Sequence, residues 1–151
     1  MELKVTVKIE GAILNAIMKN PGEVGRKSVW AGMTNLVEEI EARAKKEAPA
    51  KTSNLRRHIV SSVSPDGARG VITSQAPYSV YVHEGTGLFG PLHKRIVPTT
   101  KKALFWPGAS HPVRSTKGMK ANPFFTRALA ATKTQQVFEA GVWGYLNKMG
   151  A

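Results

Sequence analysis

Residues 23–47, EVGRKSVWAGMTNLVEEIEARAKKE, decide the fold because they have the pattern of a long amphipathic helix. Five apolar residues in this stretch recur at spacings of 3, 4, 3 and 4, which places them on one stripe: Trp30, Met33, Val37, Ile40 and Ala44. Pro49 ends the pattern, because the residue before a proline is pushed out of helical geometry. We therefore predict a helix over about residues 23–47 whose apolar stripe packs into the core.

Strand patterns lie on both sides of this helix. Residues 3–9 alternate strictly between apolar and polar side chains, which predicts a half-buried strand. Residues 12–18 predict one or two helical turns. After the long helix, four segments are candidate strands: 58–63, 70–74, 79–83 and 103–106. The sequence Ser64-Pro65-Asp66-Gly67 separates the first two and predicts a turn between antiparallel strands, because proline presets φ and glycine accepts a positive φ.

A second long helix is predicted near the C-terminal end. Asn122 is a favourable cap and Pro123 a favourable first residue, so the helix is expected to span about residues 123–146. Its apolar stripe contains one polar member: Phe124, Ala128, Ala131, Gln135, Phe138, Val142 and Tyr145. Gly141 and Gly144 should each weaken the helix by roughly 1 kcal/mol relative to alanine. Residues 85–99 and 107–121 are rich in Gly and Pro and predict long loops.

These elements predict an α+β fold in a single domain spanning residues 1–151. A curved, mostly antiparallel sheet of four to six strands, formed mainly by residues 58–106, would pack on the long helix. The C-terminal helix would cover another face or contact a neighbouring subunit, with Phe124 and Phe125 anchored in the core. Chains of about 150 residues bury roughly 68–70% of their unfolded surface, so such a core needs no covalent staples.

Composition narrows the setting in which the protein works. The chain has no cysteine, which excludes disulfides and thiolate metal sites and fits a reducing cytosol. No basic-then-apolar signal opens the sequence, and no apolar run approaches the ~20 residues needed to span a bilayer. We therefore expect no membrane partner.

Positive charge is concentrated in the second half of the chain. The net charge is +12, and no acidic residue lies between Glu84 and Glu139. Such a field attracts polyanions, although the same residues could simply form a soluble basic surface. Aromatic residues interleave with the cations, which suits phosphate contacts plus base stacking without sequence readout. The candidate DNA-facing residues are Lys94, Arg95, Lys101, Lys102, Arg114, Lys117 and Lys120.

Motifs for catalysis or cofactor binding are weak. Residues 85–90 match GxGxxG by letter, but Pro91 follows with no helical pattern, so the glycines are interpreted as permitting a tight exit from a strand. His83 and Glu84 would point to opposite faces of a predicted strand, which disfavours a metal site. Glu84 is instead expected to be a buried acid that pairs with an arginine, within the chain or across a subunit contact. We predict no catalytic residue, no metal and no cofactor.

Three ordered blocks carry a resemblance to one protein family. They are EAPAKTSNLRRHI (residues 47–59), YSVYVHEGTG (78–87) and NPFFTRAL (122–129). They resemble the neck and tail-completion proteins of long-tailed bacteriophages, which help to join a DNA-filled head to its tail. The family pattern is a helix followed by AP..TG.LR.SI, Y..YVE.GT and PF...A. The matching residues are Ala48, Pro49, Thr52, Leu55, Arg56, Ile59, Tyr78, Tyr81, Val82, Glu84, Gly85, Thr86, Pro123, Phe124 and Ala128.

The match covers about residues 3–129 and has three departures. Ser53 replaces the usual Gly, His58 replaces the usual Ser, and His83 is inserted before Glu84. The resemblance implies a homo-oligomeric ring, expected to be a hexamer, in the virion neck between the head-closure or connector ring and the tail terminator. It also implies assembly in the host bacterial cytoplasm and double-stranded DNA passing through the lumen. Candidate interface or motif residues are Arg56, Tyr81, Glu84, Gly85, Thr86, Pro123 and Phe124.

Two alternatives stay open at the level of sequence. One is a nucleic-acid-binding protein that works alone, with its acid-free half wrapped on DNA or RNA and no sequence specificity. The other is a minor tail or capsid component of the same family at a different level of the particle. The size of the protein in solution separates the first alternative from a ring, and its position in a particle image separates the second.

Overall fold

The helix α1 (Glu23–Glu47) is the longest element of the computed structural model, which describes residues 2–11, 15, 22–50 and 53–150. Its bounds confirm the predicted helix, and it ends at Ala48, whose extended backbone precedes Pro49. Trp30, predicted in the core, is instead 46% exposed. The other four predicted members, Met33, Val37, Ile40 and Ala44, are buried, and Val29 is buried where Trp30 was expected. The buried stripe contains Val29, Gly32, Met33, Leu36, Val37, Ile40 and Ala44.

A three-stranded antiparallel sheet packs on α1. It consists of β1 (Leu3–Lys8), β2 (Ile59–Val63) and β3 (Arg69–Ser74), in the order β1-β3-β2. The predicted first strand and the predicted hairpin are therefore confirmed. The hairpin turn has Gly67 at φ +72, and its amide donates to the Ser64 carbonyl at 2.9 Å. The expected number of four to six strands is wrong for the described residues, which contain three.

Two predicted strands are not part of this sheet. Residues 79–83 lie in a short helix, α3 (Ser79–Glu84), whose turns are closed by the amides of Val82 and Gly85 donating to Tyr78 and Tyr81 carbonyls. Gly85 follows the last turn of this helix at φ 82 and ψ 173, a conformation that glycine adopts readily. Residues 103–106 contribute one isolated bridge, Leu104 to Val113. Their partner is a later loop, so they extend no sheet.

The predicted C-terminal helix is two helices, α4 (Phe124–Ala131) and α5 (Thr134–Lys148). Thr132 is buried, and its hydroxyl donates to the Ala128 carbonyl at 2.8 Å. A threonine that bonds to the carbonyl four residues earlier competes with regular helix geometry, and the chain turns there. The expected anchors are confirmed, since Phe124 and Phe125 are 0% and 1% exposed with ring centroids 4.8 Å apart.

Two glycines allow α1 and α5 to approach closely. A Cβ on Gly141 would lie 2.8 Å from the Cα of Gly32 and 2.8 Å from the Cβ of Asn35. A Cβ on Gly32 would lie 2.7 Å from Val142 Cγ2 and 2.9 Å from the Phe138 carbonyl oxygen. The Asn35 amide also donates to the Val137 carbonyl at 2.7 Å. Gly141 is therefore a packing requirement and not only a weak helix former.

A polar contact fastens α1 to β2. The Ser61 hydroxyl donates to Glu41 Oε2 at 2.5 Å, and Lys45 Nζ lies 2.5 Å from Glu41 Oε1. Burial alone would raise the pKa of Glu41, but the hydrogen bonds from Lys45 and Ser61 outweigh it and hold this pKa below its ordinary value. The ionised carboxylate is therefore the form that the fold stabilises.

The Glu41 contact predicts an acid-dependent loss of stability. Because its pKa is lowered in the folded state, its contribution is present above the ordinary value of 4.5 and is lost as the pH falls below it. Glu41→Gln should reduce the loss of unfolding free energy between pH 7 and pH 3 by less than about 1 kcal/mol, since the pair is partly exposed. Urea unfolding between pH 3 and 7 measures the difference, with Glu38→Gln on the exposed side of α1 as control. If the unfolding free energy of Glu41→Gln falls with pH as it does in the unchanged protein, the assigned role of the Glu41 carboxylate is contradicted.

The described chain divides into two compact units. Residues 2–76 and 124–150 form the helix–sheet unit, and Pro77–Pro123 form the inserted unit. The prediction of one domain stays a prediction. The helical turns predicted over 12–18 lie outside the described residues apart from Asn15, as does the motif residue Thr52. Among the helices in the described residues, none has the length and apolar character required to cross a membrane.

Candidate interaction surface of the inserted unit

Glycines hold the inserted unit together by letting backbone segments touch. Gly85 has φ 82 and ψ 173, a conformation that essentially only glycine adopts. A Cβ on Gly85 would lie 2.7 Å from the Phe89 carbonyl oxygen and 2.8 Å from the Ala121 nitrogen. Gly87 and Gly118 lie in the same close contact. A Cβ on Gly87 would lie 2.4 Å from the Lys117 carbonyl oxygen, and a Cβ on Gly118 would lie 2.1 Å from the Thr86 carbonyl oxygen.

Backbone hydrogen bonds join the same two segments, residues 85–88 and 117–121. The amides of Thr86 and Leu88 donate to the carbonyls of Met119 and Lys117 at 2.9 and 2.8 Å. The Thr86 hydroxyl accepts from the Met119 amide at 2.9 Å. The GxGxxG spacing is thus explained by backbone packing. The interpretation that these glycines leave a strand is corrected, because they follow the helix α3 and open a single 3-10 turn, Gly87–Phe89.

The two predicted long loops pair with each other further along. Ile96 and Thr116 exchange backbone hydrogen bonds at 3.0 Å, and Leu104 and Val113 do so at 2.8 and 2.9 Å. The Arg95 guanidinium donates to the Ser115 hydroxyl at 3.0 Å. Residues 96–104 and 113–116 therefore form the two sides of one arm, which has no regular strand period in the sequence.

Exposed apolar side chains are the most unusual property of the inserted unit. Within Pro77–Pro123, all of which is described, Val82 is the one hydrophobic residue that belongs to the buried core. Nine large apolar side chains are 37–81% exposed: Tyr81, Leu88, Phe89, Leu92, Ile96, Val97, Phe105, Trp106 and Met119. These exposed apolar side chains make the inserted unit a candidate interaction surface. The sequence analysis missed it, although adjacent Phe105 and Trp106 between two segments rich in Gly, Pro and cations are a usable signal.

The basic candidates lie on the same unit. Residues 77–123 contain seven Lys and Arg against one acid, a net charge of +6, which is half of the +12 of the chain. Lys120 Nζ lies 6.0 Å from the ring centroid of Phe89, at the limit of a cation–π contact. All seven candidate DNA-facing residues are exposed: Lys94, Arg95, Lys101, Lys102, Arg114, Lys117 and Lys120. That these cations face DNA stays a prediction.

The motif residues divide between the two units. In the helix–sheet unit, Arg56 lies in the helix α2 (Asn54–Arg57) and donates to the Ala48 carbonyl at 3.0 and 2.8 Å and to Lys46 at 3.3 Å. Arg56 thus satisfies carbonyls at the end of α1. Phe124 is buried there, and Pro123, the last residue of the inserted unit, is partly buried. The inserted unit brings Tyr81, Gly85 and Thr86 together around a shallow groove of about 480 Å³.

Glu84 differs from its prediction. It is exposed rather than buried, and among the described residues the ion pairs are made by other acids. The intrachain pairing with an arginine is therefore absent from the described part of the chain, while pairing across a subunit contact stays a prediction. The exposure follows from α3, which turns Glu84 outward where a buried strand was expected. The described residues also contain no cluster of three or more potential metal ligands.

No protein-family model, curated protein or solved structure matches this chain. Its function is therefore inferred from its surface chemistry and from the order of its sequence blocks.

Proposed function

We propose that this chain is a structural protein of a bacteriophage neck. Copies of it assemble into a ring that completes the tail or connector and lines the conduit for DNA. The observation that carries this proposal is the inserted unit, which exposes nine large apolar side chains and buries one hydrophobic side chain, Val82. Removing these apolar side chains from water is favourable, and in a ring each copy would cover them on its neighbour.

The exposed apolar area of the inserted unit limits the size of a subunit contact. An aromatic side chain presents about 150–250 Å². At about half exposure, the nine side chains together offer roughly 800 Å², and the two faces of a head-to-tail contact would share this area, whereas a standard interface takes ~800 Å² from each partner. Head-to-tail contacts of one surface with a different surface generate rings when the rotation closes. The inserted unit therefore has apolar area for a small contact of this kind.

A backbone detail supports the family resemblance independently. Ser53 stands where the family pattern has glycine, and it adopts φ +53 and ψ −6, a left-handed conformation that favours glycine. The backbone at residue 53 therefore has the left-handed conformation that the glycine of the family pattern would adopt without strain.

Electron microscopy of the concentrated protein tests the proposal, which expects closed rings with a central channel. A uniform field of single monomers would contradict it.

The exposed cations give the ring a role toward DNA. Lysine and arginine contacts to phosphates release counterions, so such binding is indifferent to sequence and weakens steeply with salt. Mobile lysines on an extended arm would hold DNA loosely enough to let it pass. The head-closure or connector protein and the tail terminator are the expected axial partners, and the virion neck is the expected location.

Charge reversal on the inserted unit should separate DNA binding from folding. Lys117→Glu with Lys120→Glu should leave the melting temperature within about 2 °C, because both side chains are exposed. It should weaken duplex binding at least tenfold and reduce the salt slope by about 2. Lys4→Glu with Lys8→Glu, on exposed positions of β1, makes the same change in net charge and is the control. Equal weakening in both double variants would show that net charge alone is responsible.

A stand-alone nucleic-acid-binding protein is the second candidate, favoured by the same exposed cations. It predicts a monomer that shifts short duplex DNA at low salt with a slope of several units. A ring predicts self-association without DNA. A minor tail or capsid component of the same family would also self-associate, and its position in a particle image would identify it.

A further inference from the structure

The end of the arm forms an uncharged aromatic projection, residues 104–113, which we name the knob. The Leu104–Val113 bridge closes it, and the Ala109 amide donates to the Trp106 carbonyl at 3.0 Å. Phe105 and Trp106 project from it with 67% and 45% of their surface exposed. Residues 103–113 contain no Lys, Arg, Asp or Glu, although the flanking segments are strongly basic. The knob is therefore largely apolar and carries no Lys, Arg, Asp or Glu.

The groove near the base of the same arm has complementary chemistry. Tyr81, Leu92, Ile96 and Val97 form its apolar walls, and the backbone of residues 85–87 lines it as well. Its volume is about 480 Å³, within the range of about 300–1,000 Å³ that accommodates compact organic groups. Lys94 and Arg95 are its charged lining residues, and no acid lines it.

The knob of one copy matches the groove of another. Lys94 and Arg95 favour an aromatic occupant through cation–π contact, and Trp is the best partner for such a contact. A lysine-rich segment would be repelled, whereas the knob is neutral. Within one chain the groove is lined by other residues and the knob stays exposed, so the two do not satisfy each other. The occupant with the required chemistry is therefore a second copy of this chain.

We propose that Phe105 and Trp106 of one copy insert into the Tyr81–Leu92–Val97 groove of the next. The inference rests on the proposed ring and specifies its subunit contact. Knob and groove are different surfaces, so each copy uses one of each and the contact is head-to-tail. Such a contact continues from copy to copy until it closes, whereas a groove-to-groove contact would stop at a dimer.

Disulfide trapping tests this contact, because the chain has no cysteine of its own. Leu92→Cys places a thiol on the groove, and Ser110→Cys places one on the knob while sparing both aromatic rings. Under mild oxidation, a mixture of the two single variants should give a covalent dimer containing one of each. The variant that carries both substitutions should give a ladder of multimers on a non-reducing gel. Adding Phe105→Ala and Trp106→Ala should reduce the cross-linked fraction at least tenfold.

Matched controls separate this contact from nonspecific collision. Ser62→Cys, at an exposed serine of β2, replaces Ser110→Cys and should give little cross-linking with Leu92→Cys. Trp143→Ala removes a tryptophan that is 55% exposed on α5 and should leave the ladder unchanged. An internal disulfide in the double variant, or cross-linking that survives loss of both aromatic rings, overturns the inference. Rings that still form in that case leave the proposed function standing, whereas a protein that never associates overturns both.

Discussion

Gly141→Ala is expected to lower the free energy of unfolding by about 2–3 kcal/mol, although alanine is the better helix former. The added methyl group would lie 2.8 Å from Gly32 Cα and 2.9 Å from the Ala31 carbonyl oxygen. Both are backbone atoms of α1, which cannot rotate away as a flexible side chain would. The two helices would have to separate, and this would loosen the packing of Phe138 and Val142, which are buried beside the crossing.

Gly144→Ala provides a matched control in the same helix. Nothing lies within 4 Å of the Cβ that it adds, so only helix propensity changes. This variant should gain up to about 1 kcal/mol of stability. Urea unfolding followed by circular dichroism measures both variants. Stabilisation of the protein by Gly141→Ala would contradict the close approach of α1 and α5.

Gly85→Val is expected to disrupt the inserted unit, at a cost of about 3 kcal/mol or more. Two effects combine at this residue. Valine is strained at φ 82 and ψ 173, and its Cβ would lie 2.7–3.0 Å from three backbone atoms of Phe89, Met119 and Ala121. The segment 117–121 would be displaced, and with it the hydrogen bonds that place the groove walls. Loss of self-association should follow.

Hydrogen exchange locates this damage. The amides of Thr86 and Leu88, which donate to Met119 and Lys117, should lose protection in Gly85→Val. Gly108→Ala is the control for backbone strain alone, because Gly108 has φ +95 but nothing within 4 Å of an added Cβ. It should cost only about 1 kcal/mol. Unchanged yield, protection and particle formation in Gly85→Val would show that this glycine is not required.

Local signals predicted the helix–sheet unit well. The period of residues 23–47 and Pro49 fixed α1, and the Ser64–Gly67 turn fixed the pairing of β2 with β3, because each depends on neighbours in sequence. The break between α4 and α5 was missed because it falls at Lys133, whose ψ of 78 is not helical, and no Gly or Pro marks that position in the sequence. Gly32 and Gly141 were missed as a pair, since their meaning depends on a contact between residues more than 100 positions apart.

The inserted unit was harder to predict for a related reason. Its order comes from backbone contacts at Gly85, Gly87 and Gly118, and these have no side-chain periodicity to detect. The alternation in residues 79–83 resembles a strand, yet Gly85 ends a helix there. The seven candidate cations are exposed, and that they face DNA stays a prediction. Phe105 and Trp106 can be read from the sequence, but only the structure shows that both side chains are exposed.

Molar mass in solution tests the central claim most directly. Light scattering of the purified protein at moderate salt and rising concentration should show growth from the 16.4 kDa chain to one larger closed species, without added DNA. A mass that stays at 16.4 kDa at every concentration, in a protein that still shifts short duplex DNA, would contradict assembly and favour a nucleic-acid-binding monomer.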